Sequence, residues 1–402
     1  MAAGVPPFSN HLPVNIRFGQ GVAVELGGVV RSRGADQVLL IADAGLEEAN
    51  AAVGECVAAL LDAGVRVARF AKPPGEPTID VVDRAAAAMA DAEPQAVIAI
   101  GGGSVIDTAK AARLCAELGL TLAPFLESAR AFSNPDVPLI ALPTTAGTGS
   151  EVSGGAVITD PAAARKSGIA SPTLRPQHAL VDPLLTHSMP PAMTAYTGVD
   201  ALAQAIAGMV ARVRTPIGDA IALEAIRLAG RSLVAAYADG GNAEARSEMA
   251  CASLMAGLTM NVSDCTAEHS LGQAIGGLFD APHGLTIGLV LAETLERERE
   301  HVPWQLERVA YALGAPEDGS RDGSRAIRAV RELLARLEFP VLRSLGVERG
   351  DVDTLTSLAL EDFFHTQSPR PWSAEEVRSA FEAALATTER PDPGAARPVS
   401  DR

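Results

Sequence analysis

The chain has 402 residues, 48% of them hydrophobic and 20% charged, which suffices for two domains with substantial cores and rules out a disordered protein. Its net charge of −16 argues against nucleic-acid binding through a basic surface, although a small anionic substrate needs only a local cationic pocket. Cys56, Cys115, Cys251 and Cys265 are scattered without a CxxC pair and read as free thiols of a reducing compartment. With no signal-peptide pattern at the start and no apolar run of membrane length, a cytoplasmic protein is expected.

Residues 38–43 form a short apolar run that predicts a buried strand, with a helix through about residues 46–61 behind it. A second strand is expected at 65–70, a second helix at 79–90, and a third strand at 96–100. The third strand runs into a glycine turn at Gly101 and a helix over 105–118, and a fourth strand at 138–142 ends in Pro143-Thr-Thr-Ala-Gly-Thr-Gly-Ser-Glu151. This βαβα rhythm predicts an α/β, Rossmann-like dinucleotide-binding domain: a mostly parallel sheet with helices on both faces. Ligands on such sheets sit at the carboxyl ends of the strands, where both glycine-containing turns fall.

After Pro191 the strand signal stops. Segments 192–212, 216–237, 243–262, 264–279, 303–313, 322–338 and 373–387 are Ala-rich or amphipathic at helical period, which predicts an all-α second domain. The expected division is therefore residues 1–190, residues 191–388, and a disordered tail over 389–402.

Gly101-Gly102-Gly103-Ser104 opening a helix suits a phosphate, because glycines admit close approach and helix N-terminal N–H groups favour an anion. It is not the GxGxxG pattern, since Ile106 takes the place of the last glycine, and a plain tight turn remains an alternative. Thr144, Thr145 and Thr148 add hydroxyls at the neighbouring strand end, with helix capping as their alternative role, and Asp107 belongs to the same glycine-turn motif. Asp43 ends a strand where a ribose diol would lie, a position that favours NAD over NADP; it would serve equally as an N-cap. Lys166 is a further candidate for a ribose or phosphate contact, or a solvated lysine.

The second half carries two matched polar pairs. Asp200 and Gln204, and His269 and Gln273, are each four apart and so share a helical face. His283 lies between Pro282 and Gly284, which predicts a loop that aims its ring. One carboxylate and two imidazoles are the donor set of a divalent transition metal. Taken singly, Asp200 reads as a cap at a helix start and His269 as a core histidine; the combination favours a site. The other histidines (His11, His178, His187, His301, His365) show no ligand spacing.

On these residues the chain resembles the iron-containing (group III) alcohol dehydrogenase family. The matching stretches are Gly101-Gly-Gly-Ser-Val-Ile-Asp-Thr-Ala-Lys110, Pro143-Thr-Thr-Ala-Gly-Thr-Gly-Ser-Glu151, Val157-Ile-Thr-Asp160, Val181-Asp-Pro183, Thr197-Gly-Val-Asp-Ala-Leu202 and Pro282-His-Gly284. The resemblance implies a cleft between the two domains, a homo-oligomer of two or more chains, and a metal held by Asp200, His269 and His283. Two family histidines fall on glutamines: Gln204 at the second ligand position and Gln273 near the nicotinamide. A carboxamide oxygen is a weaker ligand than imidazole, and glutamine shuttles no proton near neutral pH. The family's Asn-Pro-Arg appears here as Ser368-Pro-Arg370, implied to meet substrate.

The expected function is an NAD(H)-dependent, metal-assisted oxidoreductase of a small alcohol, aldehyde or ketone, with Fe2+ or Zn2+ and with Asp200, His269, His283 and Gln273 at the reacting centre. Three alternatives differ from it: a metal-independent reductase of an acidic carbonyl substrate, resembling maleylacetate or phosphonoacetaldehyde reductases; a dehydroquinate-synthase-like cyclase, for which the Lys and Arg set is too sparse; and a non-catalytic binding protein.

Overall fold

The computed structural model describes residues 8–126, 135–163 and 165–387, so the tail expected over 389–402 lies outside the described residues. Six parallel strands form the main sheet: β1 (Asn15–Phe18), β2 (Gln37–Asp43), β3 (Arg66–Lys72), β4 (Ala96–Gly101), β5 (Leu139–Pro143) and β8 (His178–Val181). Their spatial order is β1-β8-β5-β4-β2-β3. Every residue of β4 is buried, as its unbroken apolar run requires when helices cover both faces. β2 pairs with β3 on one side and β4 on the other, so the strand order reverses there. That reversal places Asp43 and Gly101 at neighbouring strand ends, in the crevice such sheets use for ligands.

Three parts of this half were not expected. β1 is a four-residue edge strand with all residues exposed, too short to give a periodic signal. β8 follows a single 3-10 turn, Pro172–Leu174, rather than an α-helix. The stretch around residues 157–160 is one arm of an antiparallel hairpin, β6 (Gly155–Asp160) with β7 (Arg165–Ala170), whose second arm is too polar to announce a strand.

From Pro191 onward the described residues form no strand, and the helices Pro191–Val210, Pro216–Ala238, Ala243–Met260 and Ala267–Phe279 follow the expected segments. The first of these is buried along nearly its whole length, as its alanines allow neighbours to approach on several sides. Asp200 therefore sits mid-helix, not at a helix start. The structure also corrects the setting of His283: it is the first residue of the helix His283–Glu298, whose apolar run was not separated from its surroundings in the sequence. A further helix, Val352–Glu361, was likewise unforeseen.

Candidate active site

Close helix packing builds the polar cluster. A Cβ on Gly284 would stand 2.2 Å from the Tyr196 carbonyl oxygen and 3.2 Å from Asp200 Cβ, so only glycine lets the 283–298 helix start against the 191–210 helix. This contact brings His283 to Asp200, with Nε2 3.7 Å from Asp200 Oδ1. His269, from the 267–279 helix, places its own Nε2 at the same distance, 3.7 Å, from that oxygen. One donor atom from each of Asp200, His269 and His283 lies within 4.8 Å of the others. These separations exceed a hydrogen bond and approach the roughly 3–3.5 Å between donors around one tetrahedral ion.

The hydrogen bonds around the cluster leave several of its buried polar atoms unsatisfied. Glu268 accepts from His269 Nδ1 at 2.8 Å, and its oxygens also accept from the Thr266 backbone N–H and hydroxyl. Gln204 Nε2 donates to Asp200 Oδ2 at 3.2 Å. Asp200 Oδ1, Gln204 Oε1 and His269 Nε2 remain buried with no hydrogen-bond partner. Buried polar atoms are rarely orphaned, and a carboxylate oxygen, an amide oxygen and two imidazoles match the donor preferences of zinc or ferrous iron. The electrostatics are divided: burial lowers His269, but Cys265 and Glu268 outweigh it and hold the imidazole well above its ordinary value, so a metal there must displace a proton. Burial pushes the Asp200 carboxyl up to about 6, against the lowering field of His269. Burial, with the fields of His269 and Lys166, holds His283 well below its ordinary value, so its imidazole is a neutral donor.

The nucleotide-side residues gather at the strand ends. Gly101 and Pro143 are register partners, and the Thr144 N–H donates to the Gly101 carbonyl at 3.0 Å, clamping the two loops together. A Cβ on Gly103 would stand 2.7 Å from Thr148 Oγ1, and one on Gly102 3.1 Å from Thr145 Cγ2. Gly102 flanks the helix Gly103–Leu118, which has no side-chain cap, so the first N–H groups, around part-exposed Ser104, are open to an anion. Asp43 caps no helix. It pairs with buried Lys72 at 3.2 Å and lines a cavity of about 210 Å³.

Other expectations are redirected. Both Asp107 oxygens are committed inside the protein, accepting from Ser150 Oγ and the Val157 N–H, so this carboxylate braces the threonine loop and hairpin rather than facing a ligand. Lys166 is neither solvated nor lone: its buried ammonium lies 3.4 Å from Glu76 and 3.4 Å from the Ala281 carbonyl oxygen. Thr148 caps locally, its hydroxyl accepting from the Ser150 N–H at 3.2 Å. Arg370 turns to the surface, paired with Glu376 and bonded to His301, while Ser368 Oγ accepts from the Ala267 N–H, so this segment holds the 267–279 helix in place. Gln273 follows His269 by one turn and lines a cavity of about 470 Å³ beside the cluster.

Two sequence models divide the chain: "Iron-containing alcohol dehydrogenase" matches residues 13–183, and "Fe-containing alcohol dehydrogenase family, C-terminal" matches residues 194–385. The chain belongs to the iron-containing alcohol dehydrogenase family. It is an oxidoreductase acting on alcohols or their carbonyl counterparts. The chain is 33% identical over 356 residues to a choline dehydrogenase of Bacillus subtilis, covering 87% of this chain and 88% of the relative. It is 31% identical over 372 residues to an NAD-dependent methanol dehydrogenase of Bacillus methanolicus, covering 92% and 97%. A crystal structure of a 1,3-propanediol oxidoreductase superposes with a TM-score of 0.90 at 31% identity, covering 94% of this chain and 100% of that one.

The residues whose roles sequence reasoning did not foresee are Glu268, Gly284 and Glu76. Glu268 directly precedes His269, and a carboxylate beside a candidate ligand histidine is itself a signal. Glu76 carried none, because its partner Lys166 comes from the distant hairpin.

Proposed function

We propose that the chain interconverts a small alcohol and its aldehyde or ketone with NAD(H), using one divalent iron or zinc ion held by Asp200, His269 and His283 and completed by Gln204. The observation that carries this reading is the orphaned set of inward acceptors, Asp200 Oδ1, Gln204 Oε1 and His269 Nε2. A divalent ion so held supplies a Lewis acid for a carbonyl oxygen, and a nicotinamide nucleotide supplies or accepts hydride.

The chain's own residues do the positioning. Glu268 fixes the His269 ring with Nδ1–H turned away from the cluster, and Gln204 holds the second Asp200 oxygen. The uncapped helix start at Gly102, Gly103 and Ser104, walled by Thr144, Thr145 and Thr148, suits a pyrophosphate. Asp43 at the adjacent strand end suits a ribose diol and disfavours a 2′-phosphate. Gln273 orients a polar group by hydrogen bonding and takes up no proton itself. In this reading residues 1–190 form the cofactor half, 191–388 the metal half, and the enzyme is a cytoplasmic homo-oligomer.

Metal content per chain, measured on protein purified without chelator and dialysed, tests this. About one equivalent of iron or zinc is expected, as four protein donors suffice to hold one ion that expands its coordination to take a substrate oxygen. It is lost in Asp200→Ala, and with it the reduction of short aldehydes by NADH. Full activity in metal-free protein would refute the metal's part and favour metal-independent reduction of an acidic carbonyl compound.

A further inference from the structure

The cavity of about 470 Å³ beside the cluster lies between the β6–β7 hairpin, the 267–279 helix and the segment 358–364. It is within the size range of small-molecule sites. Gln273, only 6% exposed, lines it with a carboxamide that has no hydrogen-bond partner among the described residues. Phe364 forms the wall toward the cluster, its ring edge-on to that of His269 with centroids 5.7 Å apart. Phe363 lies beside it, 6.3 Å away between centroids.

Five charged residues line the same space: Arg165, Lys166, Asp264, Glu361 and Asp362. Lys166 is neutralised by Glu76. That leaves Arg165, which forms no ion pair among the described residues, against three carboxylates. Asp362 spends one oxygen on the Ser270 hydroxyl and the Phe364 N–H, which fixes the aromatic wall without removing the charge. Among the described residues Asp264 accepts only the Cys265 N–H, and burial pushes its carboxyl up to about 6, a strain that a cation in the cavity would relieve. Carboxylates, aromatic rings and an unpartnered amide oxygen together form a cation-binding environment.

We propose that this cavity receives the non-reacting end of the substrate and selects a positive charge there, which makes the preferred substrate class short amino alcohols, primary to quaternary, and the matching amino aldehydes. The assignment rests on the dehydrogenase reading above and adds the charge of the substrate to it.

The test compares choline with its neutral isostere 3,3-dimethylbutan-1-ol and with anionic 3-hydroxypropanoate, using the metal-loaded enzyme and NAD+. The expected kcat/KM for choline exceeds that for the neutral isostere by about tenfold or more. The preference falls in Glu361→Gln and further in Asp264→Asn/Glu361→Gln, and it rises in Arg165→Ala. Calorimetric titration of the same protein with choline and the isostere, without NAD+, is expected to give the same order independently of turnover. Equal kcat/KM for the three alcohols, or preference for the anion that collapses in Arg165→Ala, overturns the cation assignment and leaves the dehydrogenase reading standing. Absence of turnover with any of the three, and with methanol, ethanol and 1,3-propanediol, in protein that binds both metal and NADH overturns the reading beneath it.

Discussion

Replacing Asp200 by asparagine is expected to stabilise the metal-free protein while destroying its metal site. Burial pushes the Asp200 carboxyl up from an ordinary value of 3.8 to about 6 in the folded protein. Between those values the folded chain binds more protons than the unfolded chain, so metal-free stability falls as pH rises through this window and stays lowered above it. Two pH units correspond to roughly 3 kcal/mol at pH 7, an upper bound because the site relaxes. Spread over 402 residues at about 2 cal/mol/K of unfolding entropy each, that is a Tm change of roughly 3–4 °C. Asparagine keeps an acceptor for Gln204 Nε2 and removes the buried charge. The assay is thermal unfolding from pH 4 to 8, with chelator and with added zinc. Wild type with chelator is expected to lose stability from pH 4 to 6, zinc to restore it, and Asp200→Asn to be more stable than wild type at pH 7 and indifferent to zinc. A metal-free Asp200→Asn protein several degrees less stable than wild type at pH 7 would refute the argument, since it would mean that the carboxylate is satisfied by protein groups.

Gln204→His replaces an amide oxygen by an imidazole at the fourth donor position and is expected to tighten zinc binding by about tenfold or more, read by competition with a chromogenic chelator. Glu268→Gln keeps the shape beside His269 but removes the negative acceptor from its Nδ1–H, and a loss of about 10–100-fold in metal affinity is expected from the same titration. Gly103→Ala puts a methyl 2.7 Å from Thr148 Oγ1, which forces the two clamped loops apart. It is expected to weaken NADH binding by about tenfold, read by nucleotide fluorescence, with metal content unchanged.

The glutamines give this chain's version of the family site its particular character. Gln204, on the same helical face as Asp200, presents a buried, unpartnered oxygen, an amide where the resemblance implies an imidazole. Gln273 borders the large cavity, with a neutral amide that can hydrogen-bond a ligand but shuttles no proton near neutral pH.

The sequence alone carried the parallel sheet, because β2, β4 and β5 are apolar runs buried on both faces and interrupted by helices of clear period. It also carried the pairs Asp200/Gln204 and His269/Gln273, since four residues return a helix to the same face. What it left open depends on contacts between distant segments. The setting of His283 was misread as a loop because nothing local shows that Gly284 must pass 2.2 Å from the Tyr196 carbonyl oxygen. Asp107, Lys166 and Arg370 were assigned to ligands because their partners, Ser150, Glu76 and Glu376, are fixed by loop, hairpin and surface-helix packing rather than by spacing. The hairpin opposite the 267–279 helix and the segment 358–364 are joined only in the folded chain, so the charge of the cavity between them, unlike the ligand set, belongs to the tertiary structure.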